Sequence, residues 1–198
     1  LDNGMFGSDF LVGTSGTPQG HGSIAGDVHN AGHLVSSIGA DVLGLQVSGN
    51  YVQDASGTLD ALIGRGLLVG GSAALDGTLN VLGVRPGYTA SARETILHAG
   101  AGVSGTFATL TSTGNFLDAV VEYDPDDVFL DISRLDVSAT AQAMGLTAAS
   151  QSGAVRVEDA FRALDAGAQA TAAPSFLEAA GALQRTEGTA AAERSLSS

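Results

Sequence analysis

Three groups of residues in this chain have types and spacings that could do chemistry. Gly13-Thr14-Ser15 puts a hydroxyl in a glycine-bounded loop, the local setting of a serine nucleophile. Pro18 comes too early and no apolar helix follows, so Ser15 reads as a plain turn residue. His21, His29 and His33 could supply metal ligands, and on a helix the last two would share a face. Asn30-Ala31-Gly32 is a turn signal instead, and no carboxylate cluster completes a site, so these read as solvated turn histidines. Asp118, Glu122, Asp124, Asp126, Asp127 and Asp131 form an acidic group that lacks the glycine and terminal glutamate of a calcium loop. They read as a solvated acidic turn. Catalytic residues, cofactor-binding residues and metal ligands are therefore all expected to be none, and no cofactor is expected.

Composition narrows the classes further. The chain has 198 residues, 44% hydrophobic and 15% charged, with 28 glycines and 5% aromatics. That is enough apolar material for a core of Leu, Val, Ile and Ala, with glycines to turn tight corners. The formal net charge is −13, and all eight basic residues are arginine, so the surface repels phosphate backbones and no nucleic-acid partner is expected. With no cysteine, there is no disulfide scaffold or thiolate site. No apolar run reaches the length of a membrane span, and Leu1 to Phe10 is not a signal peptide. The missing initiator Met is expected of a piece of a longer chain.

Gly66 to Val84 dominates the positioning elements. Leu67, Val69, Gly71, Ala73, Leu75, Gly77, Leu79 and Val81 recur at every second residue, with Leu68, Asp76 and Asn80 on the opposite face. The run is too long for one strand, and Gly70-Gly71 and Asp76-Gly77 predict bends that keep one face inward. A repeat supports this. Ser56-Gly57-Thr58-Leu59-Asp60-Ala61 returns as Asp76-Gly77-Thr78-Leu79-Asn80-Val81, and Gly44 to Gly49 returns as Gly66 to Gly71. A period near 20 residues is one solenoid coil, which gives about three coils between Ile24 and Val84, with short apolar clusters at Ile24-Val28, Leu34-Val35 and Val42 to Val47. Leu1 to Gly22 reads as a partial coil. A β-sandwich also has many short strands, but it does not require a repeat of fixed phase.

Beyond Val84 the pattern changes. Arg85-Pro86-Gly87-Tyr88 predicts a turn, and Thr95 to Ala99 and Gly105 to Leu110 short strands. Leu117 to Tyr123 and Val128 to Ile132 alternate around Asp124-Pro125-Asp126-Asp127, which predicts a hairpin. Most of the large aromatics lie here, so Tyr88 to Leu135 reads as a cap over the exposed end of the last coil. Its expected capping core is Leu79, Val81, Tyr88, Phe107, Tyr123, Phe129 and Leu130.

From Leu135 onward Ala, Gln, Ser and Glu take over. Val157, Ala160, Phe161 and Leu164 predict a helix stopped at Gly167. Ser175-Phe176-Leu177-Glu178 is a capping box after Pro174, opening a second helix with Phe176, Ala180 and Leu183 on one face. Thr189 to Ser198 predicts a third. The narrow stripes predict short helices that are either loosely docked or ordered only by a partner. The divisions are thus residues 1–87 for β-helix coils, 88–135 for the cap and 136–198 for the helical linker.

Gly66 to Val84, Gly87-Tyr88, Thr95-Ile96-Leu97-His98-Ala99 and Val103-Ser104-Gly105-Thr106-Phe107 together resemble the C-terminal end of type V autotransporter passenger domains. The wording is closest to subtilisin-like serine protease autotransporters. Tyr123 to Ile132 is similar to that family's hairpin, Val157 to Asp165 to its following helix, and Ala182 to Ser198 to the segment leading into the outer-membrane barrel.

The resemblance implies an all-β fold, a right-handed parallel β-helix ending in an autochaperone region and then a linker containing Phe161, Leu164, Phe176 and Leu183. It implies a passenger stem that nucleates folding and assists secretion across the outer membrane, as in virulence factors displayed on the bacterial cell surface, with no chemistry of its own. The implied partners are the chain's own upstream passenger, a downstream β-barrel and the outer-membrane assembly machinery. Any protease triad would lie upstream of Leu1. Two other readings are a surface adhesin or self-association β-helix, and a β-helical polysaccharide-degrading enzyme. The enzyme would need cationic side chains on one face, and Arg65, Arg85 and Arg93 share no spacing.

Overall fold

A computed structural model describes residues 2–36, 44–62, 66–83, 87–111 and 114–197. Val42, Arg65, Val84, Arg85 and Pro86 lie outside the described residues, as does the side chain of His21. The chain is mostly β, with parallel sheets followed by a short helical part.

The strands are β1 (Asp2–Phe6), β2 (Phe10–Val12), β3 (Gln19–Ile24), β4 (Val28–Asn30), β5 (His33–Ser36), β6 (Gln46–Val47), β7 (Tyr51–Gln53) and β8 (Thr58–Leu62). They continue as β9 (Leu67–Val69), β10 (Ala73–Leu75), β11 (Thr78–Gly83), β12 (Ser91–Ala99), β13 (Val103–Gly105), β14 (Thr109–Thr111), β15 (Leu117–Tyr123) and β16 (Asp127–Arg134). The helices are α1 (Val137–Ala143), α2 (Ala148–Asp165), a 3-10 turn (Ala168–Ala170), α3 (Pro174–Gln184) and α4 (Thr189–Leu196).

From β3 to β14, strands three apart in sequence are neighbours in space. One sheet has five strands in the order β13-β10-β7-β4-β2. The other has eleven, ordered β14-β11-β8-β5-β3-β6-β9-β12-β16-β15, with β1 also beside β3. Every pairing from β2 to β14 whose register is described is parallel, and like side chains stack along it. Leu34, Leu59, Leu79 and Leu110 form one column, and Ile24, Val47, Val69 and Ala99 are linked in another. Leu34, Leu59 and Leu79 are at most 1% exposed, and burying each stabilises the fold by about 1.5–3 kcal/mol.

The sequence repeat maps onto this register. Thr58, Leu59, Asp60 and Ala61 pair with Thr78, Leu79, Asn80 and Val81, while Gln46 and Val47 pair with Leu68 and Val69. Leu67, Val69, Ala73, Leu75, Leu79 and Val81 are all buried, and the run breaks into three strands at the two expected bends. Gly77 makes the second bend possible. Its φ is +68°, and a Cβ there would lie 2.3 Å from the Gly57 carbonyl oxygen.

The parallel pairing does not stop at Val84, because β12, β13 and β14 extend it beside β9, β10 and β11. His29 and His33 lie in strands, not turns. His29 sits on the outward side of β4, 2.8 Å from Asp54, and His33 opens β5, 3.5 Å from Asp60. The turn signal holds at Ala31 and Gly32, where the chain bends between β4 and β5, and the two histidines flank that bend in strands.

The chain forms two compact units. One comprises Leu1–Val84, Arg93–Ser112 and Val120–Asp131; the other comprises Arg85–Ala92, Thr113–Ala119 and Ile132–Ser198. The core of the second is built from Phe116, Val137, Ala141, Leu146, Ala154, Phe161, Leu164, Ala180, Leu183, Ala192 and Leu196. Its helices differ from expectation in three ways. α1 is an additional helix, capped by Asp136, whose carboxylate accepts from Ala139 N–H at 2.9 Å. α2 runs for 18 residues and is not short; it stops where Gly167, at φ +111°, takes the left-handed conformation. α3 begins one residue before the capping box. Ala173 is its N-cap and Pro174 its first residue, where proline's fixed φ and missing N–H fit the start of a helix.

Candidate functional site

The two candidate regions are the hairpin end of the strand unit and the inner face of the helical unit.

In the strand unit, the three-residue connection from Tyr123 to Asp127 admits only antiparallel strands, closed by Asp124 N–H donating to the Asp127 carbonyl at 2.8 Å. The turn is tied to the last parallel strands. Ala99 N–H donates to the Asp126 carbonyl at 2.8 Å, and Val103 N–H to the Pro125 carbonyl at 2.7 Å. Val128 and Leu130 point inward and are fully buried. Phe107 and Tyr123 meet where Phe107 N–H donates to the Tyr123 hydroxyl at 2.9 Å, and burial pushes that phenol's pKa up. Arg93 lies 4.4 Å over the Phe129 ring while its guanidinium bonds Asp131 at 2.8 Å and Glu122 at 3.1 Å. His98 bonds Asp127 at 2.9 Å. Three members of the acidic group are thus paired to cationic or imidazole side chains on the same unit. Among the described residues no cluster of three or more His, Asp or Glu side chains could hold a metal ion.

Inside the strands lies a polar network that hydrophobic patterning does not reveal. Asn30, Tyr51 and Gln53 face inward from β4 and β7, with exposures of 0%, 0% and 3%. The Tyr51 hydroxyl donates to Gln53 Oε1 at 2.6 Å, and Asn30 Nδ2 donates to the Tyr51 oxygen at 3.2 Å and the Thr58 carbonyl at 3.0 Å. Gln53 Nε2 reaches the carbonyls of Asp76 at 2.8 Å and Thr78 at 3.0 Å. Gln53 Oε1 also accepts from Asn30 Nδ2 at 3.4 Å, so one amide bridges three successive rows of the sheets. Burial raises the Tyr51 pKa far above an ordinary phenol, so the ring stays neutral.

In the helical unit, Tyr88 meets Phe161 edge-on at 4.8 Å, and its hydroxyl donates to Asp165 at 2.7 Å. Arg134 is the centre of charge there. It grips both oxygens of Glu158 at 3.0 and 3.1 Å and bonds Asp165 at 2.7 Å. Burial works against its charge, but these two carboxylates more than offset that and hold its pKa above the ordinary value. Glu158, only 2% exposed, also accepts from Val137 N–H at 2.8 Å. Gln184 imitates a strand neighbour, donating to the Thr89 carbonyl at 2.7 Å and accepting from Thr89 N–H at 2.9 Å.

The expected capping residues therefore divide between the units. Leu79, Val81, Phe107, Tyr123, Phe129 and Leu130 belong to the strands, whereas Tyr88 belongs with Phe161 and Leu164. Leu183 is buried in the helical core as its stripe implies, but Phe176 is 44% exposed and Leu177 packs inward in its place. Phe176 lies in the first turn of α3, where the core contacts begin one residue later. Arg93, Arg134, Glu158 and Gln184 were missed. The available signal was Glu158 itself, a carboxylate on the same helical stripe as Ala154, Phe161 and Leu164 that must be paired to stay buried.

The bonds of both regions tie strands and helices to one another. Ser15 is exposed in a turn closed by Gly16 N–H to the Gly13 carbonyl. No protein-family model matches the chain, and a search of curated proteins finds no match.

Proposed function

We propose that the parallel strands form a right-handed parallel β-helix, and that the chain is the stem and autochaperone module of an autotransporter passenger. In this reading it nucleates passenger folding at the bacterial cell surface and assists secretion across the outer membrane, with no chemistry of its own. Its partners are the upstream passenger, a downstream outer-membrane β-barrel and the machinery that assembles it.

One observation carries the reading: a run of in-register parallel strands gives way to a hairpin whose turn carbonyls accept N–H groups from the last parallel strands. Parallel pairing is non-local and slow to start, whereas a hairpin closes in about 1–10 μs. A hairpin already bonded to one row offers a ready edge to the next. The lack of cysteine suits a chain that must thread a pore unfolded.

The test is a comparison of folding kinetics for Leu130→Ala in the hairpin and Val12→Ala in β2. Leu130 is fully buried and its truncation costs about 2–5 kcal/mol, ample for a φ-value. Templating from the hairpin requires a φ-value above about 0.5 at Leu130 and below about 0.3 at Val12. If Leu130→Ala merely speeds unfolding and leaves the folding rate alone, the hairpin is not the nucleus.

A further inference from the structure

Helix α4 is held differently from the rest of the helical unit. Its buried share, Ala192 and Leu196 of eight residues, is close to that of α2, six of eighteen, so what sets it apart is its polar attachment. Polar clamps supply the remaining attachment. At its start, Asn115 Nδ2 donates to the Gly188 carbonyl at 3.0 Å while its Oδ1 accepts from Gly188 N–H at 3.2 Å. At its middle, Glu193 accepts from Thr147 N–H at 2.6 Å, the Thr147 hydroxyl at 2.9 Å and the Ser150 hydroxyl at 2.5 Å. These donors, Ser150 first, hold the Glu193 carboxyl below its ordinary pKa, so it grips them as an anion. The backbone of α4 also sits directly on α2, since a Cβ on Gly153 would lie 1.9 Å from the Leu196 carbonyl oxygen.

α2 carries an N-terminal cap of its own. Its N-cap oxygen, Thr147 Oγ1, accepts from Ser150 N–H at 3.4 Å within the helix's own first turn. An eight-residue helix is too short to persist alone in water, so leaving the seat and melting are one event for α4.

We propose that α4 is a strap that undocks from α2 as a unit while α1, α2 and α3 stay folded, with Glu193 as its latch. The strap stands on this geometry; its use rests on the passenger-module reading, in which a releasable last helix lets the chain exchange a seat on α2 for an extended path toward the barrel.

Gly153→Ala separates a strap from an integral core helix because it acts on the two helices with opposite sign. The new Cβ strikes the Leu196 carbonyl and wedges α4 off, whereas alanine improves the intrinsic helicity of α2. Backbone hydrogen exchange is measured on the full chain at residues 190–196 and 154–165. In the native protein the α4 amides exchange at least a hundredfold faster than those of α2. Gly153→Ala accelerates α4 at least tenfold and leaves α2 unchanged or slower; Glu193→Gln accelerates α4 about tenfold and leaves α2 unchanged. The strap is ruled out if either variant accelerates both helices together, if α4 is unaffected by both, or if both variants fail to fold. Exchange here reads only the helical unit, so its failure leaves the module reading to be judged by the contrast between Leu130 and Val12.

Discussion

Replacing Gln53 by leucine keeps an apolar body of similar length in β7 and removes the amide that bridges three rows. Two groups of bonds go. The first runs from Nε2 to the carbonyls of Gly57, Asp76 and Thr78, at 3.2, 2.8 and 3.0 Å. The second is the acceptor for the Tyr51 hydroxyl, which is fully buried. Lost bonds contribute about 1 kcal/mol each net, and the orphaned hydroxyl adds about 1–3 kcal/mol. Some of those carbonyls keep strand partners, so the expected destabilisation is about 3–4 kcal/mol. Tyr51→Phe alone removes the donor and costs about 1 kcal/mol. In the double variant no hydroxyl is left orphaned, so it is less destabilised than the sum, with a coupling of about 1–2 kcal/mol. Urea unfolding followed by far-ultraviolet circular dichroism measures all four corners of the cycle, provided the slope m stays constant. Additivity within about 0.5 kcal/mol would refute the idea that Tyr51 and Gln53 act as one buried unit.

Two further outcomes follow from the helical unit. Arg134→Met strands Glu158 in the interior with only Val137 N–H and Arg162, which bonds it at 3.1 Å, so stability falls by about 3 kcal/mol in denaturant titrations. The double change Arg134→Met with Glu158→Leu recovers most of that loss. Asp136 gives a pH signature. Bonds from the Ser138 hydroxyl and Ala139 N–H lower its pKa from 3.8 to about 2. A depressed folded pKa means the carboxylate stabilises α1 above about pH 4 and that this contribution is lost as pH falls through 2. The stability gap between the native protein and Asp136→Asn, which keeps a neutral cap, therefore narrows steadily over that window in acid titrations of unfolding.

The strand register was the most legible part of the sequence, because apolar alternation and turn glycines report directly on a pleated, one-sided surface. The two halves of the repeat even differ in spacing in the sequence, and the pairing of Val47 with Val69 and Leu59 with Leu79 follows that difference. What stayed hidden was polar chemistry turned inward. Asn30 and Gln53 carry no sign of burial in the sequence, because their type, taken one residue at a time, favours water; only the neighbouring rows supply the carbonyls that make burial affordable. α1 was missed for a related reason, since Val137 and Ala141 make too narrow a stripe to register without Phe116 and Leu146 beside them. At Phe176 the helical period was right but the stripe was centred wrongly, since the buried side of α3 runs through Leu177, Ala180, Gly181 and Gln184 and leaves Phe176 at its margin.

The interleaving of the two units along the chain has a consequence for how the protein can be divided. Residues 93–111 belong to the strands, yet the stretches on either side of them belong with the helices. A fragment ending at 83 leaves its own later strands behind, and one starting at 132 has lost Phe116 from its core and Thr89 from its bond with Gln184. No single cut releases either half whole, so recombination cannot trade one for a foreign counterpart, and reporter fusions or truncations placed between 85 and 131 will damage both.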